Sequence, residues 1–330
     1  MIHEIWGDNY PRPKLLGPAS TGVGETSDLL SQIGPYIQIA SYHKYHGGGK
    51  DPKLPSYAKY PSFYPHPMKL SGPGEAAKKY ITKMTATGNS SSTVLPQLWI
   101  GEGAMAYDSG LHGLTDTFHG SMWFANILGA LTKTKPLPHS VYCRQSLLGG
   151  YYELISHETL IPNPDYWVAY LWKSLVGQNA IGPMVSPQRN DSVKLSSYQT
   201  FGCCKQPGAD AVLIHSFCAE STTSNGDVVF IVINTSESKA MYLNVSMTEK
   251  NRTEYILTPN KAEGMKSRQV FLNGQQLSLH ENGPIGYALP DIRALGVTRS
   301  RGEQFHIPPI SIAFLVVHET ELKQCMPTTE

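Results

Sequence analysis

An α/β half followed by an all-β half is the fold class this sequence predicts, with the change near residue 180. Three observations predict it. Up to Gly177, short apolar runs alternate with helical stretches four times over, the pattern of a parallel sheet with crossover helices. From Val212 onward, short β-branched and aromatic runs are separated by Gly, Asn and Pro turns, the texture of an antiparallel β-sandwich. Within that half, Asn273-Gly274 sits between Val270-Phe271-Leu272 and Gln275-Gln276-Leu277, a strong hairpin signal.

Each element has its own reason. Residues 12–20, Arg-Pro-Lys-Leu-Leu-Gly-Pro-Ala-Ser, predict a short buried strand ended by Gly17-Pro18. Thr26–Ile33 predicts a short helix, with Glu25 near its N-terminus, where a carboxylate is stabilised. Tyr36–Tyr45 alternates weakly and predicts a second strand, with His43 and Tyr45 at its C-terminal end. Gly47-Gly48-Gly49 opens a loop rich in Pro and Tyr that reaches Pro73, and loops of that length are usually functional or mobile. Gly74–Thr87 predicts a helix with Lys78, Lys79 and Lys83 on its polar side. Leu98-Trp99-Ile100, bounded by Pro96 and Gly101, predicts a buried strand with Glu102 at its C-terminal end. Leu114–Thr132 predicts a helix capped by Thr115 or Asp116. Val141–Gln145 predicts a strand that buries Cys143 as a small hydrophobe, and Pro164-Asp165-Tyr166-Trp167 opens a helix ending at Leu175–Gly177. In the all-β half the predicted strands are Val212–Phe217, Val228–Ile233, Met241–Met247, Glu254–Leu257 and Ile310–Val317, besides the hairpin.

At 330 residues the chain can bury one large or two ordinary domains, divided here as 1–180 and 181–330. A net charge of +1 gives no general affinity for polyanions, which argues against a nucleic-acid partner. No run of eighteen apolar residues predicts a transmembrane segment. Five cysteines without a CxxC pair argue against zinc, and no metal or other cofactor is expected. Asn89, Asn190, Asn234, Asn244 and Asn251 each open an Asn-x-Ser/Thr sequon, against roughly two expected by chance. That excess predicts glycosylation and a secretory history. Met1–Asp8 lacks the basic and apolar regions of a signal peptide, so the chain is expected to begin inside a longer protein or to pair with a separate N-terminal chain.

Glu102, between Gly101 and Gly103, is the candidate catalytic group. A carboxylate leaving a buried strand suits the top face of a parallel barrel, where strand ends deliver reacting side chains. The alternative is a hydrogen-bonded carboxylate at a strand end.

The order Gly101-Glu102, Ala106-Tyr107, Arg144-Gln145 and Asp165-Tyr166-Trp167 resembles the last two strand–helix units of the heparanase family of retaining glycoside hydrolases, family 79. The resemblance implies that the four strand–helix units are units five to eight of a (β/α)8 TIM barrel, followed by the family's β-sandwich. It implies that Glu102 is the nucleophile of an endo-β-glucuronidase acting on heparan sulfate or a related uronate-containing polysaccharide. It implies substrate contacts for His43, Tyr45, Lys50, Tyr107, Gln145, Gly150 and Tyr152, the Gly149-Gly150…Tyr152 segment holding the uronate carboxylate. It also implies a disulfide between Cys218 and Cys325, and a secreted, extracellular-matrix, lysosomal or membrane-associated setting. Cys203 and Cys204 are left without an assigned partner.

Two departures matter. The family's acid/base glutamate lies in an Asn-Glu-Pro motif that occurs nowhere in this sequence, so inactivity of this chain by itself is expected. Thr21-Gly22-Val23-Gly24-Glu25 stands where some members carry paired arginines, which argues against a highly sulfated substrate. Glu25 is the one substitute acid/base that the loop after the first strand offers. The readings that compete with a glucuronidase are a non-catalytic glycan-binding relative and a matrix or receptor-binding protein that uses its β-domain.

Overall fold

The computed structural model describes residues 13–21, 23–33, 37–58, 70, 72–75, 78–79, 96–181, 212–220, 226–243, 249–281 and 286–326. Packing divides the chain into two compact units. Met1–Lys44, Pro67–Gly103 and Leu131–Arg144 form one unit; Tyr45–His66, Ala104–Ala130 and Gln145–Glu330 form the other.

The α/β part contains β1 (Leu16–Ser20), α1 (Val23–Ile33), β2 (Ile39–Gly48), α2 (Leu54–Ala58), β3 (Gln97–Tyr107), α3 (Phe118–Leu131), β4 (His139–Arg144) and α4 (Pro164–Leu175). The four strands form one sheet in the order β1-β2-β3-β4, with parallel β1–β2 and β3–β4 ladders. In the first unit, Leu30 of α1, Ala40 of β2, Leu98 of β3 and Leu137 close a small apolar core. Beside it, Tyr42 of β2 and His139 of β4 meet at 2.8 Å, and burial pushes the imidazole down to about 4.

Several expectations need correction here. Instead of stopping at Gly17-Pro18, β1 continues to Ser20, and it is mostly exposed because it is an edge strand among the described residues. Gly47 and Gly48 belong to β2, and the loop expected to follow them contains α2; residues 59–69 lie outside the described residues. Of the helix expected over 74–87, residues 74, 75, 78 and 79 are helical and the others lie outside the described residues. Neither Thr115 nor Asp116 caps α3, which starts at Phe118; Asp116 instead accepts from Gly113 N and His112 Nδ1, closing the turn before the helix. Cys143 is exposed rather than buried, because β4 is the other edge strand of its sheet among the described residues.

The antiparallel part, in the second unit, is a sheet in the order β11-β10-β9-β16-β7-β6-β5, with β14 pairing to β9. Its strands are β5 (Val176–Ala180), β6 (Val212–Ala219), β7 (Val228–Asn234), β9 (Arg252–Pro259), β10 (Val270–Leu272), β11 (Gln275–Gln276), β14 (Val297–Arg299) and β16 (Ser311–Val317). Two separate ladders join β8 (Met241–Leu243) to β15 (Phe305–Ile307), and β12 (His280–Glu281) to β13 (Tyr287–Ala288). Strand alternation sends Val228, Phe230 and Val232 of β7 to one face, where they pack with Met241, Phe305 and Ile307 of the β8–β15 ladder. On β6 the opposite parity sends His215 against Gly129 of α3, where a Cβ would lie 2.1 Å from the ring, and sets Phe217 on Trp172 of α4 at 5.1 Å. Covered on both faces, β7 and β16 are buried at every residue.

The hairpin stands at Asn273-Gly274: φ is +50° and +87°, and Leu272 pairs with Gln275. Cys218 and Cys325 are joined by a disulfide across a sequence separation of 107. Asn234 is not available for a glycan. It is 1% exposed, and the nitrogen that would carry the sugar donates to the carbonyls of Lys239 and Pro308, each at 2.9 Å. Asn251 is exposed, while Asn89, Asn190, Asn244, Cys203 and Cys204 lie outside the described residues. No helix among the described residues is long and apolar enough to cross a membrane.

Candidate active site

Within the first unit, Glu102 is positioned by what its neighbours lack. A Cβ on Gly101 would stand 2.3 Å from Ser41 Oγ of β2, and one on Gly103 would stand 2.9 Å from the Tyr142 ring of β4. Glycine at both places lets three strands close around the carboxylate. The β3–β4 register slips between Ile100 and Gly103, a bulge of the kind that re-aims a side chain. Glu102 therefore does not end its strand; β3 runs on to Tyr107. Nor is it buried, since its side chain is 35% exposed. His43 Nδ1 of β2 lies 3.7 Å from Glu102 Oε2, so these two predicted site residues meet. Arg144 pairs with Gly103 in the β3–β4 ladder.

The second unit holds the remaining predicted residues. Gly48 leaves room for Tyr107, whose ring would be 2.8 Å from a Cβ there, and Gly49 donates to the Tyr107 carbonyl at 2.8 Å. Tyr45 meets Tyr107 edge-on, with ring centroids 6.3 Å apart. Lys50 Nζ lies 3.9 Å from Asp108 Oδ1, an exposed pair whose contribution to stability is small.

The Gly149–Tyr152 turn docks on the segment that follows β3. Tyr151 N donates to Ser109 O at 2.6 Å, and Thr115 Oγ1 donates to Tyr151 O at 2.6 Å. Gly149 and Gly150 have φ of +101° and +79°, and a Cβ on Gly150 would press on Ser109 O at 3.1 Å. Gln145 and Tyr152 are half-buried at the two ends of this segment.

Sequence reasoning missed Glu153. Its carboxylate is 3% exposed and accepts from Gly149 N, and at 2.7 Å from both His157 N and His157 Nδ1. The signal available was the Glu153-x-x-x-His157 spacing directly after the Gly-Gly pair. A second carboxylate–histidine pair, Asp116 with His112 at 2.8 Å, stands across the Tyr151 ring. Among the described residues, no three His, Cys, Asp or Glu side chains gather as a metal site.

Residues 1–129 match the family model for the glycosyl hydrolase family 79 N-terminal domain. The chain is 29% identical over 319 residues to baicalin-β-D-glucuronidase of Scutellaria baicalensis, covering 96% of this chain and 52% of that protein. It is 28% identical over 343 residues to heparanase-like protein 2 of Arabidopsis thaliana, covering 98% and 59%. Its fold is similar to that of an α-L-arabinofuranosidase from Thermotoga maritima, with a TM-score of 0.55 and 15% identity over 93% of this chain and 58% of that one. The fold likeness is to TIM-barrel glycoside hydrolases. The chain thus spans little more than half the length of these relatives.

Proposed function

Because the chain belongs to glycoside hydrolase family 79, the heparanase family, we propose that it provides the nucleophile side of a retaining β-glucuronidase, with Glu102 as nucleophile. The observation that supports this most is local: a partly exposed carboxylate at a bulge, bracketed by glycines that two neighbouring strands require, with His43 at 3.7 Å. In the first half-reaction the Glu102 carboxylate attacks the anomeric carbon and forms a glycosyl ester. A second carboxyl, about 5–5.5 Å away, protonates the departing oxygen and later activates water. Tyr45, Lys50, Tyr107, Gln145, Gly150 and Tyr152 are the proposed sugar contacts, and the substrate class is a uronate-containing glycan such as heparan sulfate or hyaluronan. The parallel four-stranded sheet is read as strands five to eight of a (β/α)8 barrel, with a β-domain from about residue 181. The disulfide and the exposed Asn251 sequon support a secretory route.

The acid/base remains the open role. No Asn-Glu-Pro occurs in the sequence, and Glu25 sits exposed in the first turn of α1, where the helix N-terminus stabilises its charge. That observation favours a second reading, a glycan-binding relative without turnover. Purified residues 1–330 incubated with an aryl β-glucuronide, with Glu102→Gln as control, separate the readings. The proposal expects no turnover by this chain alone, and turnover that depends on Glu102 once an Asn-Glu-Pro segment is supplied. Full activity of the Glu102→Gln protein would overturn the assignment.

A further inference from the structure

We propose that Glu153 is a positioning residue for uronate recognition: it sets which backbone N–H groups the Gly149–Tyr152 turn offers to a carboxylate. The inference rests on the reading of this turn as the uronate subsite. Burying a carboxylate is costly unless it is hydrogen-bonded, and Glu153 is satisfied by N–H donors: Gly149 N, His157 N and His157 Nδ1. Among the described residues its ion-pair partner is the half-exposed His157, with no Lys or Arg. The carboxylate thus spends its lone pairs on the turn itself.

The consequence is a selection among donors. Four N–H groups run through Gly149, Gly150, Tyr151 and Tyr152. Glu153 occupies that of Gly149, and Ser109 O occupies that of Tyr151. Among the described residues, those of Gly150 and Tyr152 have no backbone acceptor. Tyr152 N is packed on Gly110, 2.9 Å from where a Cβ there would stand, so Gly150 N is the donor left to a ligand. Glu153 N also donates to Gly150 O at 3.2 Å, so one residue grips the turn at both glycines. With no side chain to restrict them, Gly149 and Gly150 would sample many conformations without this grip. Uronate binding then depends on a residue that never touches the sugar. A purely structural residue would change stability but not the preference for a uronate over its neutral analogue.

The test titrates purified residues 1–330 with phenyl β-D-glucuronide and with phenyl β-D-glucoside, followed by amide NMR. The variants are Glu153→Ala, Glu153→Asp, which shortens the reach but keeps the charge, and His157→Ala, which leaves the Gly149 contact in place. Wild type is expected to prefer the glucuronide by about tenfold or more, as a site built to bond a carboxylate rejects the analogue lacking it. Glu153→Ala and Glu153→Asp are expected to remove that preference while leaving the glucoside affinity unchanged, and His157→Ala to retain it. If Glu153→Ala does not fold, Glu153→Asp decides. A preference kept in Glu153→Asp overturns this inference and leaves the subsite reading standing. No preference in wild type overturns both.

Discussion

His43 Nδ1 on β2 faces Glu102 Oε2 on the neighbouring strand β3 at 3.7 Å, a little beyond hydrogen-bond length. At this distance the imidazole stands beside the carboxylate as a neighbour across the two strands. In a preparation complete enough to turn over a glucuronide, Glu102→Gln should cost on the order of 10⁴-fold or more in kcat, as loss of a nucleophile does. His43→Ala should cost roughly ten- to a hundredfold through misplacement. Kinetics with an aryl glucuronide check both; a His43→Ala enzyme with unchanged kcat and KM would remove His43 from the site.

Gly101 predicts a rescue. A methyl there would collide with Ser41 Oγ, which is buried, so Gly101→Ala should destabilise by about 1–3 kcal/mol through overpacking. Ser41→Ala removes the colliding atom, so the double variant should recover most of the loss. Urea denaturation of the four proteins measures the coupling. Simple additivity would show that the backbone, not the Ser41 contact, requires glycine.

The Tyr42–His139 pair sets a pH dependence. The single Thr134 hydroxyl hydrogen goes to the Leu131 or Leu137 carbonyl, so Thr134 Oγ1 accepts from His139 Nδ1–H and Nε2 accepts from Tyr42 O–H. Burial lowers the folded pKa from 6.5 to about 4, so between these values the unfolded chain binds more protons. Stability is therefore full above about pH 6.5 and falls as pH drops towards 4, by on the order of 2–3 kcal/mol. Tyr42→Phe strands Nε2 and should cost about 1–3 kcal/mol at neutral pH. Chemical denaturation at pH 7, 5.5 and 4.5 checks the sign, and a His139→Gln variant should lose this part of the slope.

Arg252 anchors the antiparallel sheet. It is 1% exposed, bonds Glu254 at 2.7 Å and the carbonyls of Glu303 and Gln304, and lies 4.1 Å over the Phe305 ring. Arg252→Lys keeps the charge but cannot reproduce the planar fork, so it should lose much of these contacts. Arg252→Ala should cost about 3–5 kcal/mol, since Glu254 stays buried with only the half-exposed Arg299 at 3.2 Å. Thermal unfolding of both variants measures this. A melting point unchanged in Arg252→Ala would show that Arg299 alone satisfies Glu254.

By itself the sequence determined the features that depend on neighbours along the chain. Asn273-Gly274 specified its hairpin because both positions need positive φ. Repeating strand and helix patterns specified the parallel β1–β2 and β3–β4 ladders, and the ordered motifs around Glu102, Arg144 and Asp165 carried the resemblance to family 79. Only the tertiary structure decided what depends on distant groups. Cys143 is exposed on β4, an edge strand among the described residues, and Asn234 is sealed because Lys239 and Pro308 carbonyls take its amide. Gly101 and Gly103 are needed because Ser41 and Tyr142 arrive from other strands, and β3 passes Glu102 because its ladder with β4 slips there. Glu153 became a candidate only when its burial and its bond to Gly149 N were known. The physical reason is common to all of them. Local conformation is written in φ, ψ and side-chain period, whereas burial and hydrogen-bond partners are set by residues that folding brings together from far along the chain.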